Sequence, residues 1–290
     1  MTRLEDLTAT PLPRLPPRRA DSHKGDYGRA LLVGGSRGMS GAISLAGKAA
    51  LRSGAGLATL AVPRTIQDVV AAFESSYMTR GLTDADGRIS ASAADEVIEL
   101  SKRMTAVAVG PGLGRSDALT SFVGRLYREI HKPIVIDADG LFAVAEQSDL
   151  LEQPGGPRII TSHPGEFARL TGEPYKAAQR TEAAARLARR DPKNKTVVVL
   201  KGHRTVVTDG SRMSLNQTGN PGMATGGTGD VLTGIITALL CQGLSPFDAA
   251  RLGVHIHGLA GDLAAEELGQ VSMIASDLLD YLPKAFRSVS

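Results

Sequence analysis

The chain has 290 residues, 42% of them hydrophobic, with 33 basic against 30 acidic side chains and a net charge of +3. That length suits one large α/β domain or two small ones, and so small a charge, with acids and bases interspersed, argues against a nucleic-acid partner. One cysteine, Cys241, excludes a disulfide scaffold and fits a reducing compartment, expected to be the cytoplasm, while no apolar run is long enough for a membrane span and no signal-peptide pattern appears.

Residues 1–22 carry Pro11, Pro13, Pro16 and Pro17 with Arg14, Arg18 and Arg19, the composition of a flexible or polyproline-like arm. Residues 23–290 are expected to form a single domain, since no internal repeat or linker interrupts them. Arg29 to Val33 reads as a buried strand ending in Gly34-Gly35-Ser36, followed by a small-residue helix over Ser40 to Arg52. A strand at Leu57 to Val62 and a helical segment from Arg64 to Phe73 come next. Residues 80–90 read as turns, and Ala93 to Lys102 as a helix. The strand Ala106 to Val109 runs into Gly110-Pro111-Gly112-Leu113-Gly114, with a helix over Ser116 to Arg128. A strand after Pro133 ends on Asp137-Ala138-Asp139-Gly140, and another from Arg158 to Ile160 ends on Thr161-Ser162-His163-Pro164-Gly165-Glu166. Pro174 to Arg190 reads as one helix and Val197 to Leu200 as a strand ending on Lys201-Gly202-His203. Val206 to Thr208 and Met213 to Leu215 read as a hairpin split by Asp209-Gly210, and helices close the chain over Phe247 to Leu268 and Ser276 to Leu282. Apolar runs alternating with helices predict an α/β fold, a mostly parallel central sheet covered by helices on both faces.

The densest chemistry lies between Asn220 and Gly243, where Gly226, Gly227 and Gly229 surround Thr228 and Asp230 immediately before an apolar helix. Thr228 is expected to be the N-cap. Amides at a helix N-terminus favour an anion, and an acid placed among them opposes one unless it acts as a general base toward a hydroxyl meeting a phosphoryl group. Asp230 is that base on this reading. The alternative is a first-turn acid that stabilises its helix. Other nucleotide patterns fail: Gly41 to Ala49 is one residue too long for a phosphate loop and lacks its hydroxyl, and Gly110, Gly112 and Gly114 do not make a dinucleotide fingerprint. Histidines 163, 203, 255 and 257 match no zinc spacing. Asp137 and Asp139 suit Mg²⁺ held through water or, equally, the capping of the next helix.

The stretches KGDYGRALLVGGS, SGAISLA, ALRSGAGLATLAVP, VAVGPGLG, VIDADGL, SHPGEFARL, VVLKGHRTVV, GNPGMATGGTGDVLTGII and HIHGLAGDLA, spread in order from Lys24 to about Ala264, resemble the ADP/ATP-dependent NAD(P)H-hydrate dehydratases of the ribokinase-like superfamily. The resemblance implies a ribokinase-like fold. It also implies an activity that phosphorylates hydrated NADH or NADPH with ADP or ATP and Mg²⁺, then eliminates phosphate. It makes Asp230 the base, and puts the amides of Gly226 to Gly229, among them Gly227 and Gly229, at the transferred phosphoryl group. Nucleotide contacts would come from Lys201, Gly202, His203, Arg204, Thr205, Thr228 and Gly229, and contacts to the hydrate from Ala42, Gly112, His163 and Asp230. His257 and Asp262 would pack near the glycine loop. The resemblance further implies a homo-oligomer, often a tetramer, and a separate epimerase as the working partner. Phe142 stands where the family usually shows Asn, and Ser162 where Pro is common. A ribokinase-like vitamin kinase acting on a thiazole or pyrimidine alcohol shares the GTGD chemistry; the NPGMAT, SHPGE and GPGLG segments favour the dehydratase. A silent nucleotide sensor would have no use for Asp230.

Overall fold

The computed structural model describes residues 4–174, 176–193 and 195–289. Its elements, in chain order, are β1 (Glu5–Asp6), β2 (Arg29–Val33), α1 (Ser40–Arg52), β3 (Leu57–Pro63), α2 (Gln67–Ala71), β4 (Met78–Leu82), β5 (Asp84–Ala85), β6 (Arg88–Ile89), α3 (Ala94–Ser101) and β7 (Ala106–Val109). The chain continues through α4 (Asp117–Glu129), β8 (Ile134–Ile136), α5 (Asp139–Ala145), β9 (Arg158–Ser162), α6 (Pro164–Thr171), α7 (Arg180–Ala188) and β10 (Thr196–Leu200). It ends with β11 (Val206–Thr208), β12 (Arg212–Leu215), α8 (Thr228–Cys241), α9 (Pro246–Leu268) and α10 (Ala275–Arg287).

Ten strands form one sheet in the order β1-β12-β11-β10-β9-β8-β7-β2-β3-β4, in which only β11 runs antiparallel to its neighbours among the described residues. The strands are continuous apolar runs because both faces are covered. Ala30 and Leu32 of β2 enter one core, with α1, α8, α9 and α10, while Leu31 and Val33 enter the other, with α3 to α7. The same alternation places Val135 in the first core and Ile134 and Ile136 in the second. Helix α8 is buried nearly all round because it lies between the sheet and α1; an added Cβ at Gly234 would come within 2.7 Å of the Ala49 Cβ. The small residues of α1 are thus consumed inside the protomer.

Several expectations need correcting. The turn-rich reading of residues 80–90 missed the edge strand β4 and the β5–β6 hairpin. The sequence MTRGL alternates poorly because its outer edge has no partner strand. The helix expected over Pro174 to Arg190 begins only at Arg180, after a 3₁₀ turn, with part of the interval lying outside the described residues. Two short helices, α5 and α6, begin inside the DADG and SHPGE segments that had read as strand ends. The arm, expected to be flexible, is tied to the body over residues 5–11. Strand β1 pairs in parallel with β12, and the Arg251 guanidinium, buried on α9, donates to the carbonyls of Leu7, Thr10 and Pro11 at 2.7, 2.5 and 3.0 Å. Arg251→Ala is expected to release this segment, costing about 2 kcal/mol, and to expose it to limited proteolysis. Unchanged cleavage and an unchanged urea midpoint would show that the guanidinium does not hold it.

Because β2 sends the chain first to β3 and β4 and later to β7, the connections leaving β2 and β7 diverge. The crevice of an open α/β sheet forms where strand order reverses in this way. The ends of β2, β7, β8, β9 and β10 open onto the same edge as the N-terminus of α8.

Candidate active site

The glycine loop enters α8 through Gly227, whose φ of 95° is the left-handed conformation a Cβ disfavours. A side chain there would also meet the Leu45 Cδ1 at 2.7 Å and the Ala275 Cβ at 3.0 Å. Gly227, not Thr228, is therefore the N-cap. The expected cap fails because the turn needs a positive φ at that position, and Thr228 becomes the first helical residue. Its hydroxyl instead donates back to the carbonyls of Met223 and Thr225 at 3.1 and 3.0 Å, closing the loop on itself. Its carbonyl lies 2.8 Å from His257 Nε2 on α9. Burial drives the His257 pKa down to about 4, so the ring is neutral and donates from Nε2. Asp262, one turn further on, accepts from the Gly219 N–H at 2.8 Å and from the Asn220 side-chain amide at 3.0 Å. Both residues position the loop from behind, as expected.

Asp230 occupies the third position of α8, mostly buried. Burial, reinforced by the carboxylates of Asp137, Asp139 and Glu166 and opposed by the Lys201 ammonium, pushes its pKa up to about 7. A carboxyl tuned that close to neutrality at the mouth of a helix dipole is suited to take up and give back a proton. Beneath the loop, Asp137 is 1% exposed and fully bonded: Lys201 Nζ donates to Oδ1 at 2.8 Å, and the Thr233 hydroxyl of α8 to Oδ2 at 2.7 Å. Burial alone would lower the Lys201 pKa, but Asp137, Glu166 and Asp230 outweigh it and hold the ammonium above the usual lysine value. This triad ties the ends of β8 and β10 to the second turn of α8. Asp139 is engaged elsewhere, accepting from the Gly114 N–H at 2.9 Å and from Arg115 Nε at 2.8 Å. Of the two readings kept open for the pair, capping is not realised: the N-cap of α5 is Ala138, and each of the four carboxylate oxygens accepts a bond from elsewhere in the protein. No group of three or more His, Cys, Asp or Glu side chains placed to hold a metal occurs among the described residues.

A cavity of about 370 Å³ opens in front of the loop. Lys201, Gly202, His203, Arg204, Thr205, Thr228 and Gly229, all seven of the residues read as nucleotide contacts, line it. The loop after β10 is stiffened for this purpose. Arg180 donates to the carbonyls of His203 and Leu200 at 2.6 and 3.0 Å, the Thr205 hydroxyl donates to the Gly202 carbonyl at 3.0 Å, and Arg204 is held at φ 55°. The far wall comes from the segment Asn216 to Met223 and from Val254, His257 and Gly258 of α9, which sequence reasoning mostly missed. An apolar patch on a helix two elements away carries no local signal of lining a pocket. Gly229, one residue before Asp230, is among the lining residues.

At the strand-order reversal, Ala42 and Gly112 are packed against each other: a Cβ on Gly112 would lie 3.0 Å from that of Ala42. The two loops are pinned together by Gly35 N–H to Pro111 O and by Ser36 Oγ to Gly112 O, each at 2.8 Å. His163 is the N-cap of α6. Its Nδ1 accepts from the N–H groups of Gly165 and Glu166 at 3.0 and 3.3 Å, while Glu166 Oε2 accepts from the His163 N–H at 2.7 Å. Pro164 at the first helical position and Glu166 at the third complete a capping box, so the signal for α6 was legible in His-Pro-Gly-Glu. With Nδ1 committed as an acceptor, the neutral ring carries its proton on Nε2 and presents a donor. Burial and the Lys201 and Arg169 cations keep its pKa below the usual imidazole value. Ser162, where the family commonly has Pro, is buried within β9.

A family model described as NAD(P)H-hydrate dehydratase matches residues 30–284 of this chain. The bifunctional NAD(P)H-hydrate repair enzyme Nnr of Moorella thermoacetica is 47% identical over 281 residues, covering 95% of this chain and 52% of its own length. This chain thus spans about half of that relative. Among solved structures, the ADP/ATP-dependent NAD(P)H-hydrate dehydratase from Bacillus subtilis, co-crystallised with ATP/Mg²⁺, superposes with a TM-score of 0.81 at 34% identity, covering 95% of each chain. A ribokinase-like superfamily protein from Enterococcus faecalis follows at TM-score 0.79 and 26% identity, covering 95% of this chain and 92% of that one. The fold is ribokinase-like.

Proposed function

Because this chain belongs to the NAD(P)H-hydrate dehydratase family, we propose that it uses ADP or ATP to phosphorylate hydrated NADH or NADPH and then eliminates phosphate to restore the reduced cofactor. The observation that carries this reading is the junction at Gly229 and Asp230. Gly229 lines the cavity in front of the glycine loop, and the next residue, Asp230, is a carboxyl whose pKa is raised to about 7. The phosphoryl donor lies in the cavity with its terminal phosphate toward the loop amides and Lys201, which stabilise charge developing on that group. On this reading the hydrate ring lies against the small residues Ala42 and Gly112 and near His163. Asp230 takes the proton from the ring hydroxyl as its oxygen attacks the terminal phosphorus, and AMP or ADP leaves. Loss of the new phosphate, with a proton from the adjacent ring carbon, forms the carbon–carbon double bond of the dihydronicotinamide. Since the oxygens of Asp137 and Asp139 are engaged within the protein, Mg²⁺ fits best as an ion carried on the nucleotide phosphates, where it would neutralise their charge.

The single, buried Cys241 supports a reducing, cytoplasmic setting. Exposed Leu268, Val271 and Ile274 beside the glycine loop support a homo-oligomer. An epimerase on a separate chain would be the working partner.

The test is recovery of reduced-nicotinamide absorbance from acid-hydrated NADH or NADPH with Mg²⁺, adding ADP and ATP separately. Recovery with one nucleotide alone also identifies the donor. Turnover of a thiazole or pyrimidine alcohol without recovery would move the chain to the vitamin kinases. The base must be ionised, so kcat/KM should rise with pH through about 7 and level above it. A limb centred near the ordinary carboxylate value would mean that the base is not tuned by burial, and only loss of the limb in Asp230→Asn would assign it to Asp230.

A further inference from the structure

The substrate proposed above is a dinucleotide, so beyond the reacting ring it carries a pyrophosphate and, in the NADPH form, a further phosphate on the adenosine ribose. Ala42, Gly112 and Asp230 offer no positive charge to those groups, and His163 is neutral. Two arginines stand close by, one bonded to Asp139 and one near His163. Arg115 directly follows the Gly110–Gly114 loop, and Arg169 lies on α6 beyond the His163 cap, near enough for its cation to depress the His163 pKa. Both are exposed, and both guanidinium groups gather on Phe142 of α5, with carbon-to-centroid distances of 4.7 Å for Arg115 and 4.9 Å for Arg169. Attraction to the π system keeps each guanidinium beside the ring.

The donors on this pair are largely uncommitted. Arg115 uses Nε on Asp139 at 2.8 Å, which fixes the plane of its guanidinium and leaves the terminal nitrogens directed away from the carboxylate. Arg169 has no hydrogen-bond or ion-pair acceptor among the described residues. One carboxylate against two guanidiniums leaves a net positive charge with oriented donors, the arrangement that matches a phosphate. Phe142, standing where the family usually has Asn, is what assembles it.

We propose that Arg115 and Arg169, gathered on Phe142, form a phosphate subsite for the part of the hydrated dinucleotide remote from the reacting ring. The subsite rests on the functional reading above. It would take either the pyrophosphate common to both hydrates or the ribose phosphate of NADPH hydrate alone, and the two are separable by experiment.

The experiment compares wild type, Arg115→Gln, Arg169→Gln, the double variant and Arg169→Lys. KM and kcat are measured for each hydrate at saturating nucleotide, with the nucleotide KM and the melting temperature as controls. Removing both guanidiniums should raise the hydrate KM roughly ten- to hundredfold, with kcat, nucleotide KM and melting temperature little changed and Arg169→Lys intermediate. A rise confined to NADPH hydrate assigns the ribose phosphate, and an equal rise for both assigns the pyrophosphate. Hydrate KM values within twofold of wild type in the double variant would overturn the subsite while leaving the dehydratase reading intact. So would a loss of kcat accompanied by a lower melting temperature, which marks a structural role. Failure of the wild-type protein to restore either cofactor would instead remove the functional reading, and the subsite with it.

Discussion

Asp230→Asn should abolish turnover and yet stabilise the protein. Loss of a general base of this kind costs roughly 10²- to 10⁴-fold in kcat, and the amide keeps the shape of the loop. Nucleotide affinity should hold or improve, since a negative charge beside the phosphates disappears. The stability gain follows from the raised pKa. Burial lifts the Asp230 pKa from 3.8 to about 7, so the folded protein binds a proton more tightly than the unfolded chain does. Stability is then lost as pH rises from about 4 to about 7, and above that window the buried carboxylate is a standing cost. Asparagine carries no such charge, and above pH 8 the variant should gain on the order of 2–4 kcal/mol over wild type, with the difference closing below pH 4. Urea unfolding across that pH range, beside nucleotide titration and turnover, measures all three effects. An Asn variant that is inactive but no more stable at pH 8 than at pH 4 would mean the charge is not held at a cost. A variant that still turns over at a tenth of the wild-type rate would mean the proton goes elsewhere.

The sequence carried most of the scaffold and the two ends of the site, but little of what joins them. Buried strands such as Arg29–Val33 and Ile134–Ile136 were legible because both faces are apolar, which leaves an uninterrupted run. Edge strand β4 was not, since a half-exposed strand with Arg80 at its centre and Gly81 beside it lacks that run. The glycine loop and its acid announced themselves through composition. The helix start was misplaced by one residue because a positive φ at Gly227 outweighs the usual preference for a threonine cap. Helix α6 was hidden although its capping box was written out, because histidine is an unaccustomed N-cap and the segment drew attention as a ligand loop. The pairing of Asp137 with Lys201 and Thr233, across 64 and 96 residues, leaves no local trace. Asp137 read as half of a metal pair and Lys201 as a phosphate contact, and their bond to each other went unread.

That pairing makes Lys201→Met the most damaging conservative-volume change in the site. Asp137 is almost wholly buried, and Thr233 alone would remain to satisfy it. Removing one member of a buried ion pair costs about 3–5 kcal/mol, most of it the penalty for stranding the other charge. The single variant should therefore melt well below wild type and lose nucleotide affinity, because the cation lines the cavity and borders Gly229. The two losses have different origins, and a second substitution separates them. Adding Asp137→Asn removes the stranded carboxylate, so the double variant should recover much of the stability while nucleotide binding stays weak. A thermodynamic cycle over the four proteins, read by urea unfolding, gives the coupling between the two side chains. Strong coupling with affinity lost in both Lys201 variants means that this lysine braces β8 and β10 against α8 and also meets the phosphates. Recovery of affinity together with stability would mean that its effect on the nucleotide runs only through the brace, leaving the loop amides and Arg204 to hold the phosphates.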